Sequence, residues 1–297
     1  MNRCKGCGET LQYDNPNKIG YAVKGSDICK RCFDLTHYNK NVELNNYIDN
    51  DKLLENINKK RVFTIFLCDI LSLSNETFKI YDSINNDKAF VLTKVDILPK
   101  NIKYESIIRN IENSFGIKPL IFSYKSAMLK NNLLSLIEKH RKVLITGIVS
   151  SGKSTLINTL FDENITVSHF RNTTLDFIEI NKDGLTIIDS PGFDTKVVTQ
   201  RSKNLLKEKI VNLKKGFEVL IDNVSLYSDE DINICIFMPN LTVKTYKNKD
   251  SYKMVKINNN TDLVFDNFFI YFKKGVTIYL NNDSFNLRES IIGKKYE

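Results

Sequence analysis

The sequence predicts an α/β domain built on a mostly parallel sheet, preceded by a short cysteine module and followed by a β-rich domain. Three observations predict this arrangement. Apolar runs alternate with segments of helical spacing from about residue 62 to residue 190, which is typical of a sheet covered by helices on both faces. Two cysteine pairs lie near the start, and strand-like runs joined by polar turns dominate beyond residue 216. We place the three parts at residues 1–40, 41–198 and 199–297.

Composition predicts a water-soluble protein and leaves a polyanionic partner open. The chain has 297 residues, 42% of them hydrophobic, and a net charge of +8. Residues 1–40 carry +3 and residues 196–297 carry +5, whereas the middle is neutral. A basic periphery suits RNA, although a solvated lysine surface would give the same count. We expect no signal peptide, because the start is polar, and no membrane partner, because no apolar run is long enough to span a bilayer. We expect a cytoplasmic location, because secreted disulfide scaffolds are short and rich in cysteine and this chain is neither.

The first part of the chain is too poor in aliphatic residues to build a core unaided, and its cysteines supply a substitute. Cys4 and Cys7 form one Cys-x2-Cys pair, and Cys29 and Cys32 form another after a gap of 21 residues. Two such pairs predict a closed tetrahedral Zn²⁺ site with four thiolate ligands. A redox Cys-x-x-Cys is the alternative, but a second matched pair in a basic, core-poor segment argues against it.

The middle part alternates predicted strands and helices. The apolar runs predict strands and the segments with helical spacing predict helices. Strands are predicted at 62–70, 89–93, 119–123 and 142–147, with a hairpin formed by 174–180 and 185–190; helices are predicted at 104–115, 133–140 and 154–161. In the last part we expect helical spacing only at about 200–215, and strands in the runs after it.

A glycine-rich loop follows the strand at 142–147. GIVSSGKST, residues 147–155, fits G-x-x-x-x-G-K-[ST], and its position between a predicted strand and a helix is the context that this motif requires. Backbone N–H groups of such a loop surround phosphates, the lysine pairs with β- and γ-phosphate oxygens, and the serine hydroxyl ligates Mg²⁺. We therefore expect nucleotide contacts from Gly147, Ser150, Ser151, Gly152, Lys153, Ser154 and Thr155.

A second motif ends the strand at 185–190. In Asp189-x-x-Gly192, Asp189 is expected to hold Mg²⁺ through a water molecule, and the Gly192 N–H is expected to contact the γ-phosphate. Asp-Ser-Pro-Gly is also good turn chemistry, so its weight comes from the combination with the loop. Between the two motifs, Thr173 or Thr174 could close on Mg²⁺, and we choose Thr174. Lys153, Thr174 and Gly192 are thus the predicted catalytic residues, and Ser154, Thr174 and Asp189 the predicted magnesium ligands.

The run AFVLTKVDIL, residues 89–98, predicts the base specificity. Asp96 at the end of a strand can accept hydrogen bonds from guanine N1–H and the exocyclic amine, a pair that adenine does not offer. Lys94 can lay its methylene stem along the base, and Thr93 precedes it. The next strand ends in Ser123-Tyr124-Lys125, where the Tyr124 N–H would meet guanine O6 and Lys125 would pack on the base. Ser126-Ala127 offers another register.

The order of these motifs is unusual. The base-reading motifs come first, then the phosphate loop, the switch threonine and Asp-x-x-Gly. This order is a circular permutation of the common one: the chain of a GTP-binding domain is cut at one point, and its original ends are joined. Such a permutation is possible because chain termini often lie close together at a domain surface. A P-loop kinase or ATPase is the alternative, and the two base-reading motifs at successive strand ends favour GTP.

The cysteine segments CKGCGETLQYDNPNKIGY and CKRCFDLTHYN, together with the permuted order, resemble the YqeH-type circularly permuted GTPases of small-subunit ribosome assembly. The resemblance covers about residues 1–195 and implies that the zinc module and C-terminal domain grip RNA or ribosomal protein under control of GTP and GDP. It also implies that a hydrophobic residue, here Phe193, replaces the catalytic glutamine. Because no glutamine then orients the attacking water, intrinsic hydrolysis is expected to be slow. Members of this family often have an asparagine in the phosphate loop that supports a bound K⁺ ion. This chain has Ser150 at that position, which argues against activation of hydrolysis by K⁺.

We therefore expect a monomeric GTPase that binds the small (30S) ribosomal subunit through rRNA or ribosomal protein. An alternative of a different class is a zinc-containing RNA-binding protein that uses GTP as a ligand with negligible hydrolysis.

Overall fold

The computed structural model describes residues 2–16, 18, 20–38, 49–161, 177–195, 204–240, 243–246 and 252–292. The chain forms two compact units. The first comprises Met1–Ile70, Glu76–Lys94 and Leu120–Thr195, and the second comprises Leu71–Asn75, Val95–Pro119 and Lys196–Glu297. No helix in these described ranges is long and apolar enough to cross a membrane.

The helices begin and end where local sequence favours it. Asp49 precedes the second helix and its side chain accepts hydrogen bonds from the N–H groups of Asp51 and Lys52, which is N-terminal capping. Gly116 ends the fourth helix with φ of 68°, a left-handed conformation that glycine adopts without strain. The helices are α1 Lys30–Tyr38, α2 Asn50–Lys60, α3 Asn75–Asp82, α4 Tyr104–Phe115, α5 Ala127–His140 and α6 Lys153–Phe161, with a 3-10 turn at Val95–Ile97.

A six-stranded sheet organises the first unit. Its strands are β1 Phe63–Asp69, β2 Lys88–Thr93, β3 Leu120–Ile121, β4 Lys142–Gly147, β5 Ile178–Lys182 and β6 Leu185–Asp189, in the spatial order β3-β2-β1-β4-β6-β5. All neighbours are parallel except the β5–β6 hairpin. The predicted α/β class with a mostly parallel sheet is confirmed, as are the predicted helices at 104–115, 133–140 and 154–161.

The strand order explains why distant motifs can meet. In a parallel sheet, the carboxyl ends of all strands lie at one edge, and ligands bind outside that edge. β4 lies between β1 and β6, so the phosphate loop after β4 has Asp69 of β1 on one side and Asp189 of β6 on the other. The base-reading segment follows β2, the next strand outward from β1.

The C-terminal strands of the second unit form two five-stranded antiparallel sheets with one apolar core between them. The sheet orders are β16-β13-β14-β10-β7 and β11-β8-β9-β15-β12. Side chains from both sheets, such as Ile236 and Ile278, are fully buried in the same cluster. The strands are β7 Lys207–Leu213, β8 Glu218–Ile221, β9 Val224–Ser228, β10 Ile232–Met238, β11 Val243–Tyr246, β12 Lys253–Ile257, β13 Thr261–Val264, β14 Phe269–Phe272, β15 Val276–Leu280 and β16 Asn286–Glu289.

One prediction for this region is wrong. Helical spacing was expected at about 200–215, but Lys207–Leu213 is strand β7, paired over its whole length with β10. The lysine-rich composition that favours a helix also suits the edge strand of a sheet, where charged side chains discourage further pairing. Pairing with a strand about 25 residues away therefore overrides local preference. The β-rich character predicted for the C-terminal region is confirmed.

A buried ion pair lies on the first of these two sheets. The Nε atom of Arg288 donates to Asp262 Oδ2 at 3.2 Å, and both side chains are fully buried. Asp262 Oδ2 also accepts the N–H of Ile291 at 3.3 Å. Arg288 Nη1 donates to the carbonyl of Leu73 at 3.4 Å, and its guanidinium lies 5.6 Å from the ring centre of Phe269. This pair therefore has partners within its own unit.

Candidate nucleotide and zinc sites

The phosphate loop depends on a glycine at its first position. Gly147 has φ of 139°, and a Cβ there would lie 2.0 Å from the carbonyl oxygen of Leu67 in β1. The next residue, Ile148, donates its N–H to that same carbonyl at 2.9 Å. Only a glycine allows the loop to leave β4 so close to β1. Gly152, with φ of 95°, closes the loop directly before α6.

Lys153 is the first residue of α6 and is 8% exposed. Its Nζ atom donates to the carbonyl of Ile148 at 3.4 Å, across the loop. Burial lowers the pKa of Lys153 to about 8; the charge of Asp189 opposes this shift and that of Lys94 adds to it. A buried ammonium group inside a turn of backbone N–H groups is arranged to receive an anion, and polyphosphate is such an anion.

The segment after β6 is joined to the phosphate loop by backbone pairing. Phe193 donates its N–H to Gly147 and accepts from Val149 N–H, both at 2.9 Å. Gly192 is thereby brought so close to the loop that a Cβ on it would lie 2.7 Å from Lys153 Nζ. The two residues that the sequence assigns to the γ-phosphate, Lys153 and Gly192, are therefore adjacent.

The predicted magnesium ligands fit a cation beside the loop. Asp189 is fully buried at the end of β6, where it pairs in register with Ile145 of β4. Ser154, together with Thr155, lies in the first turn of α6 and is half-buried. A carboxylate and a hydroxyl are the oxygen ligands that Mg²⁺ takes in nucleotide sites, so these two residues would hold it. The third predicted ligand, Thr174, lies outside the described residues, as does its alternative, Thr173.

Two loop serines present hydroxyls to the interior of the loop region. Ser151 is fully buried, and neither its Oγ nor that of Ser150 has a hydrogen-bond partner within the described residues. Ser150 has φ of 63°, an uncommon conformation for a residue with a side chain. An unsatisfied buried hydroxyl is costly, so both groups suit a site completed by a polar ligand.

The segment that the sequence predicts to read the base is hydrogen-bonded directly to the phosphate loop. Thr93 Oγ1 donates to the carbonyl of Ser151 at 2.6 Å, and Lys94 Nζ donates to the carbonyl of Ser150 at 2.6 Å. These contacts confirm that the segment lies beside the loop despite preceding it by more than fifty residues. Asp96 follows in the short turn Val95–Ile97 and is half-buried.

The second motif predicted to read the base follows β3 in a tight turn. Ser123 is 3% exposed, and its Oγ accepts the N–H of Lys125 at 3.3 Å. Tyr124 is exposed, and Lys125 Nζ lies 5.4 Å from the centre of its ring. Ser126, the other register considered, instead caps α5 by accepting the N–H of Leu129 at 3.4 Å. The capping bond gives the Ser126 side chain a structural role at the start of α5.

Two residues at this site were not predicted from sequence. Asp69, 1% exposed at the end of β1, lies 3.8 Å from Lys94 Nζ. The signal for it was available, because an acidic residue ends an otherwise apolar strand. Asn50 at the start of α2 binds the backbone of Asp194, and no local pattern marks it.

The four cysteines of the N-terminal module converge. All four are buried, and their sulfur atoms lie within 4.8 Å of one another. Cys7 Sγ and Cys29 Sγ are 3.8 Å apart. Sulfurs around a tetrahedral zinc ion, with Zn–S bonds of about 2.3 Å, are separated by about 3.8 Å. The arrangement fits the size and the ligand preference of Zn²⁺.

Local structure places each cysteine pair. Cys4 begins a turn in which Gly8 N–H returns to the Cys4 carbonyl at 2.9 Å, and Cys29 directly precedes α1, whose first turn carries Cys32. Cys4 Sγ accepts the N–H of Cys29 at 3.2 Å. Hydrogen bonding from neighbouring thiols, that of Cys29 foremost, lowers the pKa of Cys4. The same effect, led by Cys32, lowers the pKa of Cys29 to about 7. The pKa values of Cys7 and Cys32 are raised instead, with hydrogen bonding to Cys29 as the largest cause for both, so the four thiols do not ionise alike. Metal ligands must be deprotonated, so binding of a cation would release protons from this cluster.

Fold and site together define a P-loop nucleotide-binding domain whose motifs run in circularly permuted order, and the matching families are GTPases. A sequence model described as 50S ribosome-binding GTPase matches residues 142–260, beginning at β4. A second, described as RsgA GTPase, matches residues 77–198 and so spans the base-reading segment, the phosphate loop and Asp189–Gly192 in the order found here.

Individual relatives agree with this class. The chain is 31% identical over 237 residues to the uncharacterized protein YqeH of Bacillus subtilis, covering 71% of this chain and 64% of YqeH. It is 30% identical over 131 residues to GTPase Der of Mycoplasma mycoides, covering 41% of this chain and 30% of Der. Identity to tRNA modification GTPase MnmE of Flavobacterium psychrophilum is 27% over 206 residues, 64% of this chain and 40% of MnmE. The chain is a homologue of YqeH, and it spans less than two thirds of each of these relatives.

Proposed function

We propose that this protein binds and hydrolyses GTP and assists assembly of the small (30S) ribosomal subunit in the cytoplasm. The observation that carries the nucleotide part is the pairing of Thr93 and Lys94 with the phosphate loop. These bonds bring a base-reading segment and a phosphate-binding segment, in permuted order, to one edge of a sheet. Of the known chemistries, guanine nucleotide binding uses this combination of motifs.

Each part of the nucleotide has a proposed partner. Asp96 accepts guanine N1–H and the exocyclic amine, and the Tyr124 N–H meets guanine O6. Backbone N–H groups of residues 147–155 hold the phosphates, and Lys153 neutralises the β- and γ-phosphates. Mg²⁺ supplies charge neutralisation between those phosphates when it is bound by Ser154 and Asp189, with Thr174 as the proposed closing ligand.

Hydrolysis is expected to be slow without a partner. Phe193 occupies the position where a glutamine would orient the attacking water, and it is 1% exposed, packed 6.1 Å from the ring of Phe66. A buried aromatic ring cannot position water. The reaction would therefore depend on a group supplied from outside, such as a ribosomal component.

The same observation favours one alternative, in which GTP serves as a ligand switch for a zinc-containing RNA-binding protein with negligible turnover. Single-turnover hydrolysis with and without small subunits separates the two functions. Stimulation by subunits of at least about tenfold supports the GTPase; a rate that stays at the intrinsic level with subunits present supports the alternative.

The ribosomal part rests on the relatives and on charge. One matching family is described as 50S ribosome-binding GTPase, whereas the resemblance of the cysteine segments favours the small subunit. The positive charge lies in residues 1–40 and 196–297, the parts that flank the nucleotide-binding region, and positive charge favours binding to RNA phosphates. We propose that the zinc module and the C-terminal strands contact rRNA or ribosomal protein.

Nucleotide state has a direct route to the C-terminal region. Because of the permutation, the chain that leaves Gly192 continues towards β7 instead of returning to the nucleotide-binding sheet. Contacts with a γ-phosphate order such a segment and hydrolysis releases it. We propose that this release loosens the C-terminal strands from the pre-ribosome.

Co-sedimentation with isolated 30S and 50S subunits, in GDP, a nonhydrolysable GTP analogue or no nucleotide, tests the proposal. We expect binding to 30S subunits that depends on the nucleotide and weakens with rising salt. Preference for 50S subunits would contradict the choice of subunit, and no binding to either in any nucleotide state would refute the ribosomal function.

Zinc is tested by metal analysis of the purified protein. We expect about one zinc ion per chain, lost in the Cys7→Ser variant together with subunit binding, while GDP affinity is retained because the nucleotide site uses other residues. Protein that contains no zinc yet co-sediments normally would refute the zinc site.

A further inference from the structure

The start of helix α2 is bound to the segment that follows Gly192. The side-chain amide of Asn50 donates from Nδ2 to the carbonyl of Asp194 at 2.6 Å, and its Oδ1 accepts the N–H of Asp194 at 2.9 Å. Both backbone hydrogen-bonding groups of Asp194 are thus satisfied by one side chain. The two residues are 144 positions apart in the sequence.

Successive residues of this segment are held from different directions. Phe193 exchanges both of its backbone hydrogen bonds with the phosphate loop, through Gly147 and Val149. Asp194, the next residue, exchanges both of its backbone hydrogen bonds with Asn50. Two consecutive residues of the segment are therefore clamped by two different parts of the chain, the phosphate loop and the start of α2. Gly192, which precedes both, is placed against Lys153 Nζ.

We propose that Asn50 is a positioning residue that holds Gly192 where its N–H can meet a γ-phosphate. The proposal rests on the proposed GTP binding and goes beyond it by naming a residue outside the nucleotide motifs. Its physical basis is pre-organisation: a donor that is already fixed costs less ordering entropy when the ligand arrives.

The permutation explains why such a clamp is needed. The chain enters α2 from the N-terminal module, and the segment after Gly192 leaves for the C-terminal strands, so no peptide bond connects the two. The side-chain amide of Asn50 connects these two parts of the chain, the start of α2 and the segment after Gly192, by hydrogen bonds. It ties the γ-phosphate segment to a helix that leads directly into β1, beside the phosphate loop.

The proposal predicts an effect that depends on the third phosphate. GDP has no γ-phosphate, so its affinity does not depend on Gly192. A nonhydrolysable GTP analogue does use Gly192, and it must order the segment itself when the clamp is absent. Loss of Asn50 should therefore weaken binding of the analogue selectively, whereas a general loss of stability would weaken both ligands.

Helix α2 offers a matched control. Asn58 makes the same pair of bonds from the same helix: its Nδ2 donates to the Ser83 carbonyl at 3.2 Å, and its Oδ1 accepts the N–H of Asn85 at 2.9 Å. These partners belong to the turn between α3 and β2. Asn50→Ala and Asn58→Ala thus remove equivalent bonds, one pair at the segment after Gly192 and one elsewhere.

The experiment measures dissociation constants for GDP and for the analogue with Mg²⁺, on the full chain, by competition with a fluorescent guanine nucleotide. We expect Asn50→Ala to lower the preference for the analogue relative to GDP by about fivefold or more, the size of one to two lost hydrogen bonds. Asn58→Ala should leave that ratio unchanged.

A second variant keeps the test valid if Asn50→Ala folds poorly. Asn50→Asp retains an acceptor for Asp194 N–H and a residue type favourable at a helix start, but it replaces the donor by a carboxylate oxygen facing the Asp194 carbonyl. It should lower the ratio as much as Asn50→Ala does. Equal ratios in wild type and both Asn50 variants would overturn the inference, whereas a wild type that binds neither nucleotide would overturn the proposed function instead.

Discussion

Two sets of buried charged residues distinguish the two units of this protein. In the first unit, Lys153, Asp189 and Asp69 lie at the carboxyl edge of the parallel sheet, around the phosphate loop. In the second, Asp262 and Arg288 form an ion pair and share neighbouring backbone groups. Burial opposes the charged form in both sets, lowering the pKa of Lys153 and raising that of Asp262.

The difference lies in what compensates for burial. Asp262 and Arg288 compensate each other, so their charges are part of the fold. Lys153 lies in a turn of backbone N–H groups whose geometry suits an external polyanion, so its charge is kept for a ligand. Buried charge is costly in either place, and in the second unit the direct contact of Arg288 with Asp262 offsets part of that cost. The comparison predicts opposite consequences for substitutions in the two sets.

Removing Arg288 should have the largest effect on stability. Arg288→Met leaves Asp262 buried beside no cation, which we expect to lower the free energy of unfolding by about 3–5 kcal/mol in urea titration. The double variant Arg288→Met with Asp262→Leu should recover much of this loss, because no charge then remains buried. A single variant that loses less than about 1 kcal/mol would break the comparison.

Removing Lys153 should instead affect the ligand. Lys153→Met removes a charge-assisted contact with two phosphates, and we expect GTP and GDP affinities to fall by about 100-fold, or about 3 kcal/mol. The unfolding midpoint without nucleotide should stay equal or rise, because a buried charge is replaced by an apolar chain of similar length. A marked loss of stability would show that Lys153 is structural, like Arg288.

The pH dependence of stability sharpens the same contrast. The pKa of Lys153 is lowered to about 8 in the folded state, from 10.5 in the unfolded chain, so the unfolded state binds more protons between these values. Protonation of the buried Lys153 therefore destabilises the folded protein. This destabilisation is absent above pH 10.5 and is fully present once the pH has fallen through 8. Without nucleotide, the wild type should gain about 2 kcal/mol more than Lys153→Met between pH 8 and pH 9.5, measured by urea unfolding. Equal gains in both proteins would contradict the assigned cause.

Changing the base reader should give a smaller effect with a change of specificity. Asp96→Asn replaces two acceptors by one acceptor and one donor, which matches xanthine, where a carbonyl replaces the guanine amine. We expect GTP affinity to fall by about 10- to 100-fold and XTP affinity to rise. Competition binding with GTP, XTP and ATP measures both changes; retained guanine preference would remove Asp96 from the site.

Sequence patterns predicted the nucleotide-binding sheet and the site motifs at its edge because both have local causes. A buried parallel strand needs a continuous apolar run, and a phosphate loop needs glycines at fixed spacing. Residues 142–155 show both patterns, so their strand and loop could be predicted from the sequence. The turn at residues 123–125 follows from the same logic, since it ends a predicted strand.

The remaining features depend on partners far away in the chain. The sequence of β7 alone favours a helix, and the segment forms a strand because it pairs with β10. Strands β13 and β16 are too short and too polar to be recognised as strands from the sequence. Asn50 is one of many asparagines, and its contact with Asp194 joins residues from opposite sides of the phosphate loop in the sequence. No local propensity encodes a hydrogen bond across 144 residues.

The central claim is that motifs in permuted order assemble one site for a guanine nucleotide. Competition of GTP and ATP for bound fluorescent GDP, with Mg²⁺ present, tests it most directly on the wild-type protein. The account predicts that GTP displaces the probe at concentrations at least about 100-fold lower than ATP does, because Asp96 discriminates the base. Equal displacement by ATP, or failure of GTP to displace the probe, would contradict the claim.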